Sequence, residues 1–282
     1  MANSVTALLD QAYQQLAAVS DSALLDAEVL LCHCLHKNRS FIRAWPEHPL
    51  TDQQASEFLA LISQRQQGVP VAYLTGEREF WSRSFKVNPD VLIPRPDSEL
   101  LIELSLDLLP ANQANKIIDL GTGSGILAIT LAAERLESQV IACDLSPAAL
   151  RTAQDNAQQL QISNVRFLAS NWFSAINDRD FDLVISNPPY IDQHDPHLQQ
   201  GDVRFEPDSA LISPENGLQD IRLLADQARQ HLKPGGYLLI EHGYDQQTAV
   251  QALFKRFNYQ QITTHPDYAG NPRVTSGQWS PA

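Results

Sequence analysis

The chain of 282 residues carries a formal net charge of −13 with 43% hydrophobic residues. It is long enough for two domains with one sizeable core, and no apolar run in it approaches the ~20 residues that cross a bilayer. An acidic chain without a basic stripe argues against a protein that grips duplex DNA or long RNA by its phosphates, and it suits a protein partner of basic surface.

Three cysteines, Cys32, Cys34 and Cys143, make no disulfide framework, and Met1-Ala2-Asn3-Ser4-Val5-Thr6 lacks the basic-then-apolar order of a secretory signal. The expected setting is a reducing cytoplasm. The first ~70 residues show no strand pattern and are predicted to form a separate helical module, bounded at 1–75. Within it, Leu24, Leu25, Ala27, Leu30, Leu31, Cys34 and Leu35 mark one face of a helix over Ser22–His36. Thr51 with Gln54 makes a capping-box pattern for a helix through Gln67, which Gly68 and Pro70 end. Cys32-His33-Cys34 groups three metal-ligating residue types, but residues i and i+2 of a helix point to different faces and no second ligand cluster follows, so no metal is expected.

Residues 76–96 are predicted as a linker holding a β-hairpin over Glu79–Val87, with Pro94 to Pro96 leading into a helix that starts near Asp97. The remainder, 97–282, alternates strand and helix. Strands are predicted at Lys116–Leu120, Gln139–Cys143, Val165–Leu168, Phe181–Ser186 and Tyr237–Glu241. Helices are predicted at Ile126–Ala133, Pro147–Leu160, Gly217–Leu232 and Gln246–Phe257. Tyr259–Thr264 and Val274–Trp279 are expected to close the sheet as an antiparallel edge. The fold class is α/β, a mostly parallel Rossmann-like sheet with helices on both faces and a small N-terminal helical domain.

Two elements of this second region carry chemistry. After the first strand, Gly121-Thr122-Gly123-Ser124-Gly125 opens into a helix. Strand, glycine loop, helix is a cofactor-binding turn, in which a missing Cβ lets backbone approach a ligand closely. Asp144 ends the next strand at about the 20-residue spacing expected of a carboxylate that accepts from ribose hydroxyls. The loop spacing is G-x-G-x-G, whereas the dinucleotide fingerprint is G-x-G-x-x-G, which favours S-adenosylmethionine over NAD. That methyl donor needs backbone room and a carboxylate such as Asp119 near its ammonium.

The second element is Asn187-Pro188-Pro189-Tyr190, placed straight after the apolar strand Phe181–Ser186. Pro188 biases Asn187 toward extended backbone. The Asn187 amide oxygen and the Pro188 carbonyl can then stand as paired acceptors for a planar –NH2 group, with Tyr190 as a flat face beside it. For a lone Asn-Pro the plainer account is turn chemistry. In the loop beyond, Asp195, His197 and Asp202 are expected to be polar loop or substrate-cover residues, with no metal or general-base role.

Several stretches resemble the release-factor glutamine methyltransferases, the PrmC/HemK group of adenosylmethionine-dependent methyltransferases. They are Tyr73-Leu74-Thr75-Gly76-Glu77-Arg78-Glu79-Phe80-Trp81, Leu92-Ile93-Pro94-Arg95-Pro96-Asp97-Ser98-Glu99, the glycine loop, Asn187 to Tyr190, and Asp202-Val203-Arg204-Phe205-Glu206-Pro207. Asn-Pro-Pro-Tyr alone is shared with adenine methyltransferases; the Ile-Pro-Arg-Pro-Asp-Ser-Glu stretch narrows the choice. The resemblance implies methyl transfer from S-adenosylmethionine to the N5 side-chain nitrogen of the Gly-Gly-Gln glutamine of peptide chain release factors. Asn187 and Pro188 would be catalytic, and Asn187 to Tyr190 would bind substrate. Asp119, Gly121, Thr122, Gly123, Ser124, Gly125, Asp144, Trp172 and Asn187 would hold the cofactor. Trp172 would pack near the adenine, a core tryptophan being the plainer account, and the helical module would either recognise the protein substrate or serve as a packing appendage. Close alternatives are a glutamine methyltransferase of a ribosomal protein and an adenine-N6 methyltransferase; a fold-retaining binding module without turnover is the alternative from another class.

Overall fold

The computed structural model describes residues 3–281. Two compact units emerge: the chain up to Glu77 together with Gln199–Phe205, and Arg78–Leu198 together with the chain from Glu206 onward. Among the described residues no helix is long and apolar enough to cross a membrane.

The first unit holds α1 (Val5–Leu16), α2 (Ala23–Leu35), α3 (Arg39–Ala44), α4 (Asp52–Gln66) and α5 (Val71–Thr75). Helix α4 starts at the expected capping box: the Gln54 amide donates to Thr51 Oγ1 at 3.2 Å and the Thr51 amide donates to Gln54 Oε1 at 3.0 Å. Leu8, Leu16, Leu30, Leu31, Phe58 and Ile62 form the core. Leu24 and Leu25 do not join the buried face of α2, as their spacing suggested: both are exposed, and Ala23, Asp26 and Ala27 supply the buried side of the first turns instead. Arg65 ties the unit together, donating to Asp26 at 2.8 Å and to Asp202 at 3.1 Å. Asp202 is therefore an ion-pair partner inside the helical unit.

The second unit opens within the hairpin β1 (Glu77–Phe80) and β2 (Arg83–Lys86), from Arg78 onward. Phe80 and Phe85 are buried in the same cluster as Leu101, Ile117 and Leu131. The hairpin that the sequence set apart as a linker is thus part of this body, since two buried phenylalanines anchor it. There follow α6 (Glu99–Leu108), entered through a 3-10 turn at Pro96–Ser98, β3 (Lys116–Leu120), α7 (Ile126–Glu134), β4 (Gln139–Asp144), α8 (Pro147–Gln159), β5 (Val165–Ala169) and β6 (Phe181–Ser186). Two short turns, α9 (Asp208–Leu211) and α10 (Pro214–Gly217), precede α11 (Gln219–Gln227), β7 (Leu232–Glu241), α12 (Gln247–Arg256), β8 (Tyr259–Pro266) and β9 (Pro272–Trp279).

The strands form one seven-stranded sheet in the order β5-β4-β3-β6-β7-β9-β8. Strands β3 to β7 pair in parallel, and β9 runs antiparallel between β7 and β8. Alternate residues of each central strand feed opposite cores: Ile117, Leu183 and Ile185 lie with α6 and α7, whereas Ile118, Val184 and Leu238 lie with α11 and α12. Burial on both faces is why these strands read as unbroken apolar runs rather than as alternating ones. The sequence expected a helix through Leu232 and a strand from Tyr237. Instead the helix ends at Gln227, and β7 begins at Leu232, pairing with Phe181 before a register shift to Tyr237 opposite Leu183. The irregularity absorbs Pro234, which cannot donate to a ladder.

Candidate active site

Strand order reverses between β3 and β6, and ligands of open α/β sheets bind at that crevice, beyond the carboxyl ends of the strands. Leu120, Asp144, Ser186 and Glu241 all stand at or beside that edge. Ser186 Oγ donates to the Leu120 carbonyl at 2.6 Å, closing the crevice floor between the two strands. Above it lies a cleft of about 300 Å³ lined by the loop Gly121–Ser124, Asp144, Trp172, Asn187 and Pro189, with Pro94, Arg95 and Ser98 on another wall.

The loop is held from three sides. Both Gly121 and Thr122 amides donate to the Cys143 carbonyl at 2.9 Å. The Gly123 amide donates to Asp144 Oδ2 at 2.9 Å, and the Ser146 amide donates to Asp144 Oδ1 at 2.8 Å. Each Asp144 oxygen therefore keeps lone-pair capacity toward the cleft while its orientation is locked. Behind the loop, Asp119 Oδ2 accepts from Thr122 Oγ1 at 2.6 Å and from the Ala128 amide at 3.2 Å.

Asp119 departs from expectation. It is completely buried and does not line the cleft, so it braces the loop from beneath rather than lying open to a ligand's ammonium. Its Oδ1 has no partner among the described residues. Burial raises its pKa to about 7 in spite of the Thr122 hydroxyl and the Ala128 amide, which pull the other way, and the nearby Asp144 raises it further.

Gly125 also faces away from the cleft. With φ +86° it caps α7, and a Cβ there would meet Ile129 Cδ1 at 2.6 Å and Ala153 Cβ at 3.1 Å. It is a packing glycine between α7 and α8. Gly121, at φ +75°, lies against Trp172, whose ring carbon Cζ3 would make a tight 3.3 Å contact with an added Cβ. Trp172 is in turn fixed by a 3.1 Å bond from Nε1 to Asp220 Oδ1, and Ser213 Oγ holds the other Asp220 oxygen at 2.6 Å.

Asn187 lies on the opposite wall. Its Nδ2 donates to Ser98 Oγ at 3.1 Å, and Ser98 Oγ donates to Glu241 Oε2 at 2.7 Å. The other carboxylate oxygen, Oε1, accepts from the Tyr190 hydroxyl at 3.3 Å. Pro188 and Tyr190 do not line the cleft; the Tyr190 ring, expected to lie flat toward a substrate amide, packs partly into the core below, with its carbonyl taken by Gln246 Nε2 at 3.0 Å. Burial pushes the Tyr190 hydroxyl well above the usual phenol range, and the Glu241 carboxylate adds to this. Burial likewise raises Glu241 to about 7, against the lowering effect of Ser98, Arg273 and Tyr190. On the Pro94–Ser98 wall, Arg95 donates to Glu206 Oε2 at 2.6 Å and the Ile93 amide donates to Glu206 Oε1 at 3.1 Å. Away from the cleft, Asp195 and His197 bond each other at 2.7 Å on the surface. No group of three or more His, Cys, Asp or Glu residues placed to hold a metal occurs among the described residues.

Comparison with known proteins matches residues 7–76 to the PrmC N-terminal domain and residues 97–203 to the methyltransferase small domain. A release factor glutamine methyltransferase of Shewanella oneidensis is 49% identical over 96% of this chain and 94% of its own length. That of Salmonella typhimurium is 52% identical over 93% of this chain and 94% of its own. The chain belongs to the release factor glutamine methyltransferase family. A methyltransferase crystal structure from Pyrococcus furiosus superposes with a TM-score of 0.54 at 16% identity, covering 80% of this chain and all of that one, and shares the fold.

Three residues of this family member's site carried no assigned role in the sequence. Ser98 lay inside the quoted Leu92–Glu99 stretch, and Asp220 sat within a predicted helix. Glu241 offered the clearest signal, a carboxylate ending a buried parallel strand on the ligand edge of the sheet.

Proposed function

We propose that this protein transfers a methyl group from S-adenosylmethionine to the side-chain N5 of the Gly-Gly-Gln glutamine in peptide chain release factors. The S–CH3 bond breaks as the N–CH3 bond forms, the nitrogen then sheds one proton to solvent, and the products are N5-methylglutamine, S-adenosylhomocysteine and that proton. The observation that carries the reading is the orientation of Asn187: with its Nδ2 engaged by Ser98, its Oδ1 is left for an N–H donor on the wall facing the glycine loop. Family membership supplies the substrate class.

The residues present suit the cofactor. Asp144 retains acceptor capacity for ribose hydroxyls, Gly123 leaves open space where any other residue would place a side chain, and Trp172 with Gly121 forms a flat apolar wall of the kind an adenine ring occupies. When bound, S-adenosylmethionine supplies a sulfonium methyl group of high electrophilicity. The chain supplies positioning. An amide nitrogen is a poor nucleophile because its lone pair is delocalised into the carbonyl. Asn187 Oδ1, on the cleft wall, accepts one of its N–H bonds and so aims its remaining lobe. Such placement is worth roughly 7–11 kcal/mol in favourable cases, and N–H bonds strengthen as positive charge develops on nitrogen. No strong base need act before transfer.

We assign selection of the release factor to the helical unit and place the enzyme in the cytoplasm, where its three free thiols suit a reducing setting. The decisive experiment incubates the purified protein with S-adenosylmethionine and release factors, and maps the methyl group by peptide mass spectrometry. A Gln→Ala acceptor and total nucleic acid serve as controls. A methyl on the Gly-Gly-Gln glutamine is expected. Methyl on a ribosomal-protein glutamine or on adenine would overturn the substrate, and no transfer to any acceptor would overturn the activity.

A further inference from the structure

An asparagine side chain is nearly symmetrical in shape about its terminal bond, so its oxygen and nitrogen exchange places at little steric cost. For Asn187 the two arrangements are chemically opposite. With Oδ1 toward the cleft it accepts an N–H; with Nδ2 there it presents a donor to a donor. Something other than packing must choose between them, and the choice is legible in the bonds behind the motif.

Ser98 is 1% exposed and Glu241 is 1% exposed. A serine hydroxyl has a single hydrogen, and Ser98 gives it to Glu241 Oε2 at 2.7 Å. Toward Asn187 the hydroxyl can then only accept, and it does so from Nδ2 at 3.1 Å. A flipped amide would set Oδ1 against a lone pair of the Ser98 oxygen. Oε1 of the same carboxylate takes the Tyr190 hydroxyl, so one buried group at the end of β7 reaches both ends of the Asn187–Tyr190 segment. Nothing in the geometry requires Glu241 to touch a substrate; its reach is through Ser98.

We propose that Ser98 and Glu241 are positioning residues that impose a single amide orientation on Asn187, Glu241 acting through the Ser98 hydroxyl. The inference deepens the proposed methyl transfer and rests on it for its kinetic readout. A second readout does not depend on activity.

The experiment compares the full chain with Ser98→Ala, Glu241→Gln and Glu241→Met variants. It follows kcat for release-factor methylation, S-adenosylmethionine affinity by calorimetry, and solvent exchange of the Asn187 side-chain NH2 by NMR, its resonances assigned by their loss in Asn187→Ala. Ser98→Ala is expected to lower kcat about 10- to 100-fold, the loss of one orienting hydrogen bond. Cofactor affinity should change less than about twofold, and Asn187 NH2 exchange should become faster. Glu241→Gln keeps an acceptor for Ser98 and should recover at least about tenfold of the kcat lost in Glu241→Met, which keeps bulk but no strong acceptor. The proposal is overturned by an unchanged kcat in Ser98→Ala, by a kcat loss matched by an equal loss of cofactor affinity, or by equal losses in the two Glu241 variants. If the unmodified enzyme transfers no methyl to release factors, the proposed function fails instead. NMR then decides the relay alone: unaltered Asn187 exchange in Ser98→Ala overturns it.

Discussion

Gly125→Ala and Gly123→Ala separate two kinds of glycine within one loop. Gly125 sits at φ +86°, and its added methyl would lie 2.6 Å from Ile129 Cδ1 and 3.1 Å from Ala153 Cβ. A left-handed conformation costs an alanine roughly 1–2 kcal/mol, and overpacking against Ile129 of α7 and Ala153 of α8 adds about 1–3 kcal/mol. The sum is about 2–5 kcal/mol against the second unit. At about 2–4 °C per kcal/mol for a body of this size, its unfolding transition should fall by roughly 5–20 °C. Gly123 sits at φ +55° with nothing within 4 Å of an added Cβ. Its alanine variant should lose only the backbone term, about 1–2 kcal/mol. It projects a methyl into the cleft, however, so S-adenosylmethionine affinity should fall about tenfold or more. Calorimetric melting and cofactor titration of the two variants test the pair together. A Gly125→Ala protein that melts with the unmodified one, or a Gly123→Ala protein with full affinity, refutes the division between packing and ligand glycines.

Three further outcomes follow from the site. Asp119 and Glu241 are both raised to about 7 by burial, Asp119 facing Thr122, the Ala128 amide and Asp144, and Glu241 facing Ser98, Tyr190, Arg273 and Asp97. A carboxyl whose folded pKa exceeds its unfolded value gives stability that is complete below about pH 4 and lost as pH rises through about 7. Urea unfolding of the cofactor-free protein across that window should show this contribution, and Asp119→Asn should have a flatter pH dependence; an identical slope in the two proteins contradicts the assignment. Asp144→Ala removes the acceptor of the Gly123 and Ser146 amides as well as the one offered to ribose, so calorimetry should show cofactor affinity weakened about 10- to 100-fold. Asn187→Ala removes the acceptor oxygen and should cost kcat about 100- to 1,000-fold at nearly unchanged cofactor affinity. Retained turnover there would remove Asn187 from its assigned role.

Much of this protein is written in local pattern. Apolar runs such as Lys116–Leu120 and Phe181–Ser186 announce strands buried on both faces, and the Thr51–Gln54 box announces a helix start, because both depend on neighbours a few residues away. The glycine loop and Asn187-Pro188-Pro189-Tyr190 were legible for the same reason: backbone freedom at glycine and backbone restriction before proline are properties of the residues themselves. What remained hidden depends on which strand lies beside which. Ser98 and Glu241 are 143 positions apart and meet only because β7 lies next to β6 and the turn before α6 caps that edge. The same holds for Asp119 and Gly125, whose residue types suggested ligand contact. Burial beneath the loop made the one a brace, and the approach of α8 made the other a spacer, because a side chain's role is set by what the fold places against it.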